Sequence, residues 1–114
     1  DISAFIKGRI SINPNKSSLI PTGIALSIPE GFEAQHDQIW QNTIAILNDA
    51  GCGVEDIVRI NVFSTEPTGL PHVMEHRKKY LKPDHTPGST WLVISQLANP
   101  KLVVEMETIA AKVD

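Results

Sequence analysis

The sequence has little of what nucleic-acid-binding proteins use. Lys and Arg number 10 among 114 residues, against 13 Asp and Glu, which gives a formal net charge of -3 at pH 7. Binding to a phosphate backbone depends on clustered cations, so this balance argues against a nucleic-acid partner. Aromatic residues make up only 5% of the chain. A stacking surface for single strands is therefore not expected either.

Cysteine and long apolar runs are also scarce. The one cysteine, Cys52, cannot form an internal disulfide or anchor a cysteine-rich zinc site, and it fits a reducing compartment. No stretch approaches the roughly 20 consecutive apolar residues that a membrane span needs, and no signal peptide is visible. We therefore expect a cytoplasmic protein with no membrane partner. A transit segment before Asp1 would instead direct it to mitochondria.

The composition that remains is that of a folded domain. Apolar residues are 41% of the chain and charged residues 20%, enough to build a core and too little charge for disorder. The length is typical of one domain, and no repeat or linker is present. We predict a single domain over residues 1–114.

Local patterns predict four strands and two helices. Apolar residues at even positions predict a strand over Ile2–Ile12. Helical spacing from Phe32 to Ala50 predicts the first helix, with Gly51 as its left-handed cap. Further strands are predicted over Ile57–Ser64, Thr90–Gln96 and Leu102–Ala110, and a second helix from Pro71 to about Leu81. In the strand over Ile57–Ser64, Val58, Ile60 and Val62 are expected on one face.

This order of elements predicts an α+β fold with both helices on one face of a mixed sheet. The opposite face is expected to carry the apolar residues Phe5, Trp91, Val93 and Val103. An apolar sheet face needs a cover, so we expect an oligomer.

Two short groups of residues could in principle form a metal site or a catalytic triad, but the sequence around them does not favour either interpretation. His72 and His76 form an H-x-x-E-H motif, which in zinc peptidases binds metal. The next three residues, Arg77, Lys78 and Lys79, would repel a dication, so we interpret the motif as a solvated helix face. Neither a metal nor another cofactor is expected.

A Cys-His-Asn triad of Cys52, His36 and Asn61 would require an arrangement that nothing in the sequence indicates. Cys52 lies between two glycines at a helix end, where small residues are usual.

The last predicted strand carries two carboxylates on one side. Glu105 and Glu107 are two residues apart in an otherwise apolar run, so both side chains point to the same face. Carboxylates on a covered face are costly unless they are paired or used. One interpretation is an ion pair with Arg59 or Arg9, and the other is a ligand-binding or acid–base role.

The chain resembles the reactive-intermediate-deaminase family (Rid, or YjgF-like, also called endoribonuclease L-PSP). Four segments carry the resemblance in the family's order: 5–10, 33–51, 58–81 and 87–110. The last segment is similar to the family motifs "PxR[ST]" and "vEiEaiA".

The resemblance implies a chorismate-mutase-like fold and a homotrimer with small-molecule pockets between subunits. The family's first strand would lie before Asp1. Typical members hydrolyse enamines or imines, such as 2-aminoacrylate, to 2-oxo acids and ammonia. In them an arginine clamps the substrate carboxylate, and the glutamate matched by Glu105 positions or activates water.

The sequence departs from the family pattern at its pocket. Ser89 stands where the family has the carboxylate-clamping arginine, and serine cannot supply that charge or its two parallel donors. The residues matched to the family's other pocket positions are Lys7, Gly8, Met74, Thr90 and Trp91. Lys7 either replaces the missing cation or is a surface lysine. Trp91 either forms a flat pocket wall or packs in the trimer interface.

Two hypotheses about function follow. In the first, the chain is a diverged enzyme acting on a small carbonyl, imine or enamine compound, with Glu105 handling protons or water. In the second, it is a binding or regulatory trimer that has lost imine deaminase activity. The ribonuclease activity ascribed to some relatives is disfavoured by the acidic balance.

Overall fold

The computed structural model describes residues 9–12, by their backbone, and residues 28–112. Its elements are β1 (Arg9–Ile12), α1 (Phe32–Asp49), β2 (Ile57–Ser64), α2 (Leu70–Tyr80), β3 (Gly88–Val93) and β4 (Val104–Ala110), with 3-10 turns at Val54–Asp56 and Pro67–Gly69. Each predicted helix is therefore confirmed to within about a residue. β3 begins two residues earlier and ends three residues earlier than predicted, and β4 begins two residues later than predicted. Most of the predicted strand over Ile2–Ile12 lies outside the described residues.

The four strands form one mixed sheet in the order β1-β4-β2-β3. β2 and β3 are parallel, and β4 runs antiparallel to both of its neighbours. Burial alternates strictly along β4, from buried Val104 to buried Ala110, which is typical of a sheet with one covered face. The two helices cover this face of the sheet. The predicted α+β fold is therefore confirmed.

The core lies between α1 and the central strands. Ile39 and Trp40 of α1 are fully buried together with Val104 and Met106 of β4. Trp40 stacks on Tyr80 of α2, with ring centroids 5.3 Å apart. This contact joins the two helices to each other as well as to the sheet.

The C-terminus of α1 has the predicted cap. Gly51 has φ 82°, a left-handed value that glycine adopts without strain. The amide of Cys52 donates to the carbonyl of Leu47 at 2.7 Å, and the amide of Gly51 donates to Asn48 at 3.1 Å. These two bonds form a Schellman motif, which ends the helix.

Gln35 joins the start of α1 to the chain that enters β4. Its amide nitrogen donates to the carbonyls of Pro29 at 3.0 Å and Lys101 at 2.9 Å. Its amide oxygen accepts from the backbone N–H of Val103 at 2.9 Å. The side chain is buried, and these bonds satisfy both of its polar atoms.

The predicted face of Val58 is wrong. A register shift between Ile57 and Arg59 leaves Val58 as an extra residue opposite β4, as in a β-bulge. Val58 is consequently exposed, whereas Ile60 and Val62 are buried as expected. Arg59 lies on the outer face beside β3, as alternation with buried Ile60 requires.

The helices of the described part of the chain are too short or too polar to cross a membrane.

Replacement of Gln35 by leucine should destabilise the protein strongly. Leucine has a similar volume but leaves two carbonyls and one N–H without their partner, so we expect the free energy of unfolding to fall by about 2 kcal/mol or more. Gln41→Leu is the matched control, because Gln41 is exposed on the same helix and its side chain donates to the exposed side of Asp37 rather than to buried backbone groups. Its cost should stay within about 0.5 kcal/mol. Urea unfolding of the three proteins measures both values, and equal costs would contradict the role given to Gln35.

Candidate functional site

Ser89 and Trp91 of β3 lie on the opposite face of the sheet from Glu105 of β4. Trp91 pairs with Val62 of β2, and Ser89 pairs with Ile60. Both partners are buried under the helices, and cross-strand partners share a face. Glu105 pairs instead with Phe63, on the outer face. Within one chain, Ser89 and Glu105 therefore cannot line the same pocket.

The helix-facing position of Trp91 corrects the prediction that it belongs to the outer face. Its ring meets Phe32 of α1 edge-on, with centroids 5.9 Å apart. Val93 shares this face by register, and Val103 packs against the core just before β4. The physical reason is the register of the parallel pair β2–β3, because it determines which residues of the edge strand β3 face the helices.

The outer face carries two rows of side chains across three strands. One row consists of Thr90, Asn61 and Glu107, and the next of Leu92, Phe63 and Glu105. The first row is polar, whereas in the second a carboxylate follows two apolar side chains.

Two side chains, Arg59 and Asn61, donate hydrogen bonds on this face. Arg59, predicted as an ion-pair partner for the glutamates, donates to the hydroxyl of Thr90. Asn61 donates its amide to the Glu107 carboxylate at 3.0 Å. Glu105 is half-buried and lies opposite Phe63 of β2.

The remaining predicted site residues are not brought to this face by the described part of the chain. Lys7 and Gly8 lie outside the described residues, as does Phe5. Met74 is on α2 and is 53% exposed. It lines a separate cavity next to the C-terminal half of that helix.

A buried histidine pair was missed by the sequence analysis. The Nδ1 atoms of His36 on α1 and His76 on α2 are 2.6 Å apart, and the rings stack with centroids 4.8 Å apart. One Nδ1 must donate and the other accept, so at least one proton is shared between neutral rings. His76 is 3% exposed, which corrects its interpretation as part of a solvated helix face. The available signal was that both histidines fall on the apolar stripes of their helices.

Burial controls the protonation of this pair. Desolvation first, and then the charge of His76, lower the pKa of His36 to about 3. Desolvation also lowers the pKa of His76. Both rings are therefore neutral at physiological pH.

Asp37 lies beside the pair and receives three hydrogen bonds. Tyr80 donates to it at 2.5 Å, Lys79 at 3.0 Å and Gln41 at 2.8 Å. Burial acts to raise the pKa of Asp37, but these bonds outweigh it and lower the pKa to about 2. Asp37 is consequently a fixed negative charge at the junction of the two helices.

A cavity of about 550 Å³ opens next to Asp37. His72 lies in it with its Nδ1 3.3 Å from the Glu33 carboxylate. Among the residues that the structure describes, no three His, Cys, Asp or Glu side chains are arranged to hold a metal ion. His36 pairs with His76 and Asn61 with Glu107, so the structure gives no support to the triad with Cys52 either.

Comparison with known proteins gives a family for most of the chain. Residues 4–112 match the family model described as Endoribonuclease L-PSP. A RutC family protein of Aquifex aeolicus is 35% identical over 78 residues, which are 68% of this chain and 55% of that protein. The chain thus spans about half the length of this curated relative.

A solved structure supports the same assignment. RidA from the Antarctic bacterium Psychrobacter sp. superposes with a TM-score of 0.69 at 30% sequence identity. The superposition covers 74% of this chain and 67% of that one.

A shorter stretch is similar to a different enzyme. Deoxyuridine 5'-triphosphate nucleotidohydrolase of Caldanaerobacter subterraneus is 49% identical over 35 residues. This stretch amounts to 31% of the present chain and 24% of that enzyme.

The histidine pair should make stability depend on pH. The pKa of His36 falls from 6.5 to about 3 on folding, so between these values the unfolded chain binds a proton that the folded chain does not. Stability is therefore full above about pH 6.5 and falls as the pH decreases, by up to about 1.4 kcal/mol per pH unit for this group.

Urea unfolding at about pH 7 and about pH 5 measures this loss. His36→Asn keeps an amide near the position of Nδ1 and cannot titrate, so its loss over the same interval should be smaller. Identical pH profiles for the variant and the wild type would contradict the assignment.

Proposed function

The chain belongs to the endoribonuclease L-PSP family, which includes the Rid proteins, and from that premise we propose that it is a diverged Rid enzyme. Its substrate is a small carbonyl, imine or enamine compound. Membership supports a small-molecule, deaminase-like function at the level of the family. The assignment of a substrate class and of a proton-transfer residue depends on the residues of this chain.

The observation that carries the proposal is the placement of Glu105. Its carboxylate lies on the open sheet face in a row with Phe63 and Leu92, so a substrate there would meet one acidic group beside apolar walls. Glu107 lies in the polar row of Asn61 and Thr90, and Asn61 donates to it. Because the row of Glu105 is otherwise apolar, we assign proton transfer to Glu105 and a supporting role to Glu107.

The reaction requires one group that accepts and returns protons. Glu105 takes a proton from water as the oxygen adds to the carbon of the protonated imine, which gives a carbinolamine. Glu105 returns that proton to the nitrogen and then takes the hydroxyl proton as the C–N bond breaks, so the carbonyl forms and ammonia leaves, carrying this last proton away as ammonium. Ser89 of the copy that completes the pocket, together with backbone N–H groups, would polarise the oxygen that becomes the carbonyl, whereas Thr90 lies on the outer face and accepts from Arg59.

Two copies of the chain are needed to complete this pocket. Ser89 and Trp91 lie on the helix side of the sheet and Glu105 on the outer side. A pocket that contains both sets must take Glu105 from one copy and Ser89 and Trp91 from another. This geometry supports the proposed homotrimer with shared pockets. Lys7 and Gly8, which the family resemblance matches to pocket positions, are to be tested there as well.

A non-catalytic binding trimer is the second candidate. It is favoured by Ser89, which cannot form the bidentate carboxylate contact made by an arginine. Turnover separates the two candidates. The nucleotidohydrolase match covers only 24% of that enzyme, so we propose no activity on nucleotides.

The protein should be a homotrimer in solution. The two halves of the proposed pocket lie on opposite faces of one chain, and single chains would leave both incomplete. Multi-angle light scattering at micromolar concentration should give three times the 12.5 kDa of one chain. A mass of one chain would contradict the shared pocket.

Glu105→Gln should reduce turnover far more than binding. Glutamine preserves the shape of the side chain but cannot accept the proton, so kcat should fall by about 10²–10⁴-fold with little change in KM. Ammonia release from a panel of imines, generated in the assay, provides the measurement. Glu55→Gln is the matched control, because Glu55 is exposed in the turn before β2 and its replacement should leave kcat unchanged.

Equal rates for wild type and Glu105→Gln would assign Glu105 a structural role. Absence of turnover across the panel, with ligand binding retained, would favour the non-catalytic candidate.

A further inference from the structure

The cavity next to Asp37 has an excess of negative charge in its lining. It opens between the start of α1, the turn Pro67–Gly69 and one face of α2, and its volume of about 550 Å³ is that of a small-molecule site. The carboxylates that line it belong to Glu30, Glu33, Asp37, Glu66 and Glu75, and the lysine that lines it is Lys79. A ligand in this cavity is therefore favoured if it carries a positive charge.

Glu66 is the carboxylate that a ligand would find without a partner. Asp37 already accepts from three side chains, and Glu33 lies 3.3 Å from His72. Glu66 is half-buried, yet its carboxylate takes part in no hydrogen bond or ion pair among the described residues. Partial burial without a counter-ion costs free energy, and a bound cation would remove that cost.

His76 presents a second unsatisfied group to the same cavity. The side chain is 3% exposed and belongs to the lining, so the accessible remainder of its ring faces the cavity. Its Nδ1 is bonded to His36. Its Nε2 bonds to no group of the described residues and is not sealed from solvent. One ring nitrogen of a buried histidine is therefore available to a ligand.

These two groups require different partners on one ligand. Glu66 needs a cation. The Nε2 of His76 accepts a hydrogen bond when Nδ1 donates to His36 and donates one when Nδ1 accepts, and a hydroxyl group satisfies it in both cases. The ring of Phe32 also belongs to the lining, and an aromatic face suits both methylene groups and an ammonium group. A metal ion does not fit, because no three ligating side chains converge among the described residues.

Acidic residues near a helix N-terminus often only stabilise the helix dipole. Glu33 fits that simpler role, since it lies in the first turn of α1. Glu66 does not, because it precedes a turn of only three residues and its side chain does not cap that turn. Glu75 lies in the middle of α2, where the dipole gives a carboxylate no advantage.

We propose that this cavity binds a small primary amine that carries a hydroxyl group. Glu66 binds the ammonium group, and the Nε2 of His76 forms a hydrogen bond with the hydroxyl. The cavity lies in the helix layer, whereas Glu105 lies on the outer face of the sheet. The inference therefore goes beyond the proposed function and requires no turnover.

Nuclear magnetic resonance titration of the isotope-labelled full chain tests the proposal with three probes of equal size. The probe 4-aminobutanol has both groups, pentylamine lacks the hydroxyl, and pentanol lacks the ammonium. We expect pentylamine to bind about threefold or more weakly than 4-aminobutanol, and pentanol about tenfold or more weakly. The Nε2 resonance of His76 should move with 4-aminobutanol and stay in place with pentylamine.

Glu66→Gln tests the anchor for the ammonium group. Glutamine preserves the shape of the side chain and removes its charge, so we expect the affinity for 4-aminobutanol to fall by about tenfold. Glu55→Gln is the matched control, because it removes the same charge from an exposed residue outside the cavity. Its effect on the affinity should stay below about twofold.

Three outcomes would overturn the proposal. Equal weakening by Glu66→Gln and Glu55→Gln would indicate only a general attraction of cations to an acidic protein. Equal affinity for 4-aminobutanol and pentylamine, with the His76 resonance unmoved, would leave the hydroxyl without a partner. Chemical-shift changes confined to residues outside the cavity would place the bound amine elsewhere.

Discussion

The amide of Gln35 is the constraint on which the position of the candidate site depends. It bonds to the chain before α1 and to two residues just before β4, and so it sets where β4 begins relative to the helix layer. The alternation of β4 starts from that point, with Val104 under the helices and Glu105 outside. A side chain of α1 thereby determines which face receives the proposed catalytic carboxylate, although the two residues are 70 positions apart in sequence.

Features that depend on local chemistry were predictable. The end of α1 follows from Gly51, whose left-handed conformation few other residues tolerate. The second helix ends close to Pro83, as its sequence indicates. The parity of Glu105 and Glu107 was likewise predictable, because residues two apart in a strand share a face.

Features that depend on pairing between distant segments were not predictable. The side to which Trp91 points follows from its register with Val62, and a shift of one residue would reverse it. The bulge at Val58 arises where β2 meets β4, not from any residue of β2 alone. His36 and His76 each fall on the apolar stripe of their helix, but that pattern does not show that the two rings meet. The cavity next to the C-terminal half of α2 likewise forms only once this helix packs beside the entry to β3.

The placement of the two tryptophans also makes different parts of the fold optically distinct. Trp40 is fully buried against Tyr80 at the contact between the helices, while Trp91 is half-buried on the edge strand against Phe32. Indole emission depends on the polarity around the ring, so the two fluorophores report different events. Trp40 reports whether the helices are docked, and Trp91 whether the edge strand and its surroundings are ordered. With either residue replaced by phenylalanine, the remaining one would follow ligand capture or subunit association at its own location without an added label.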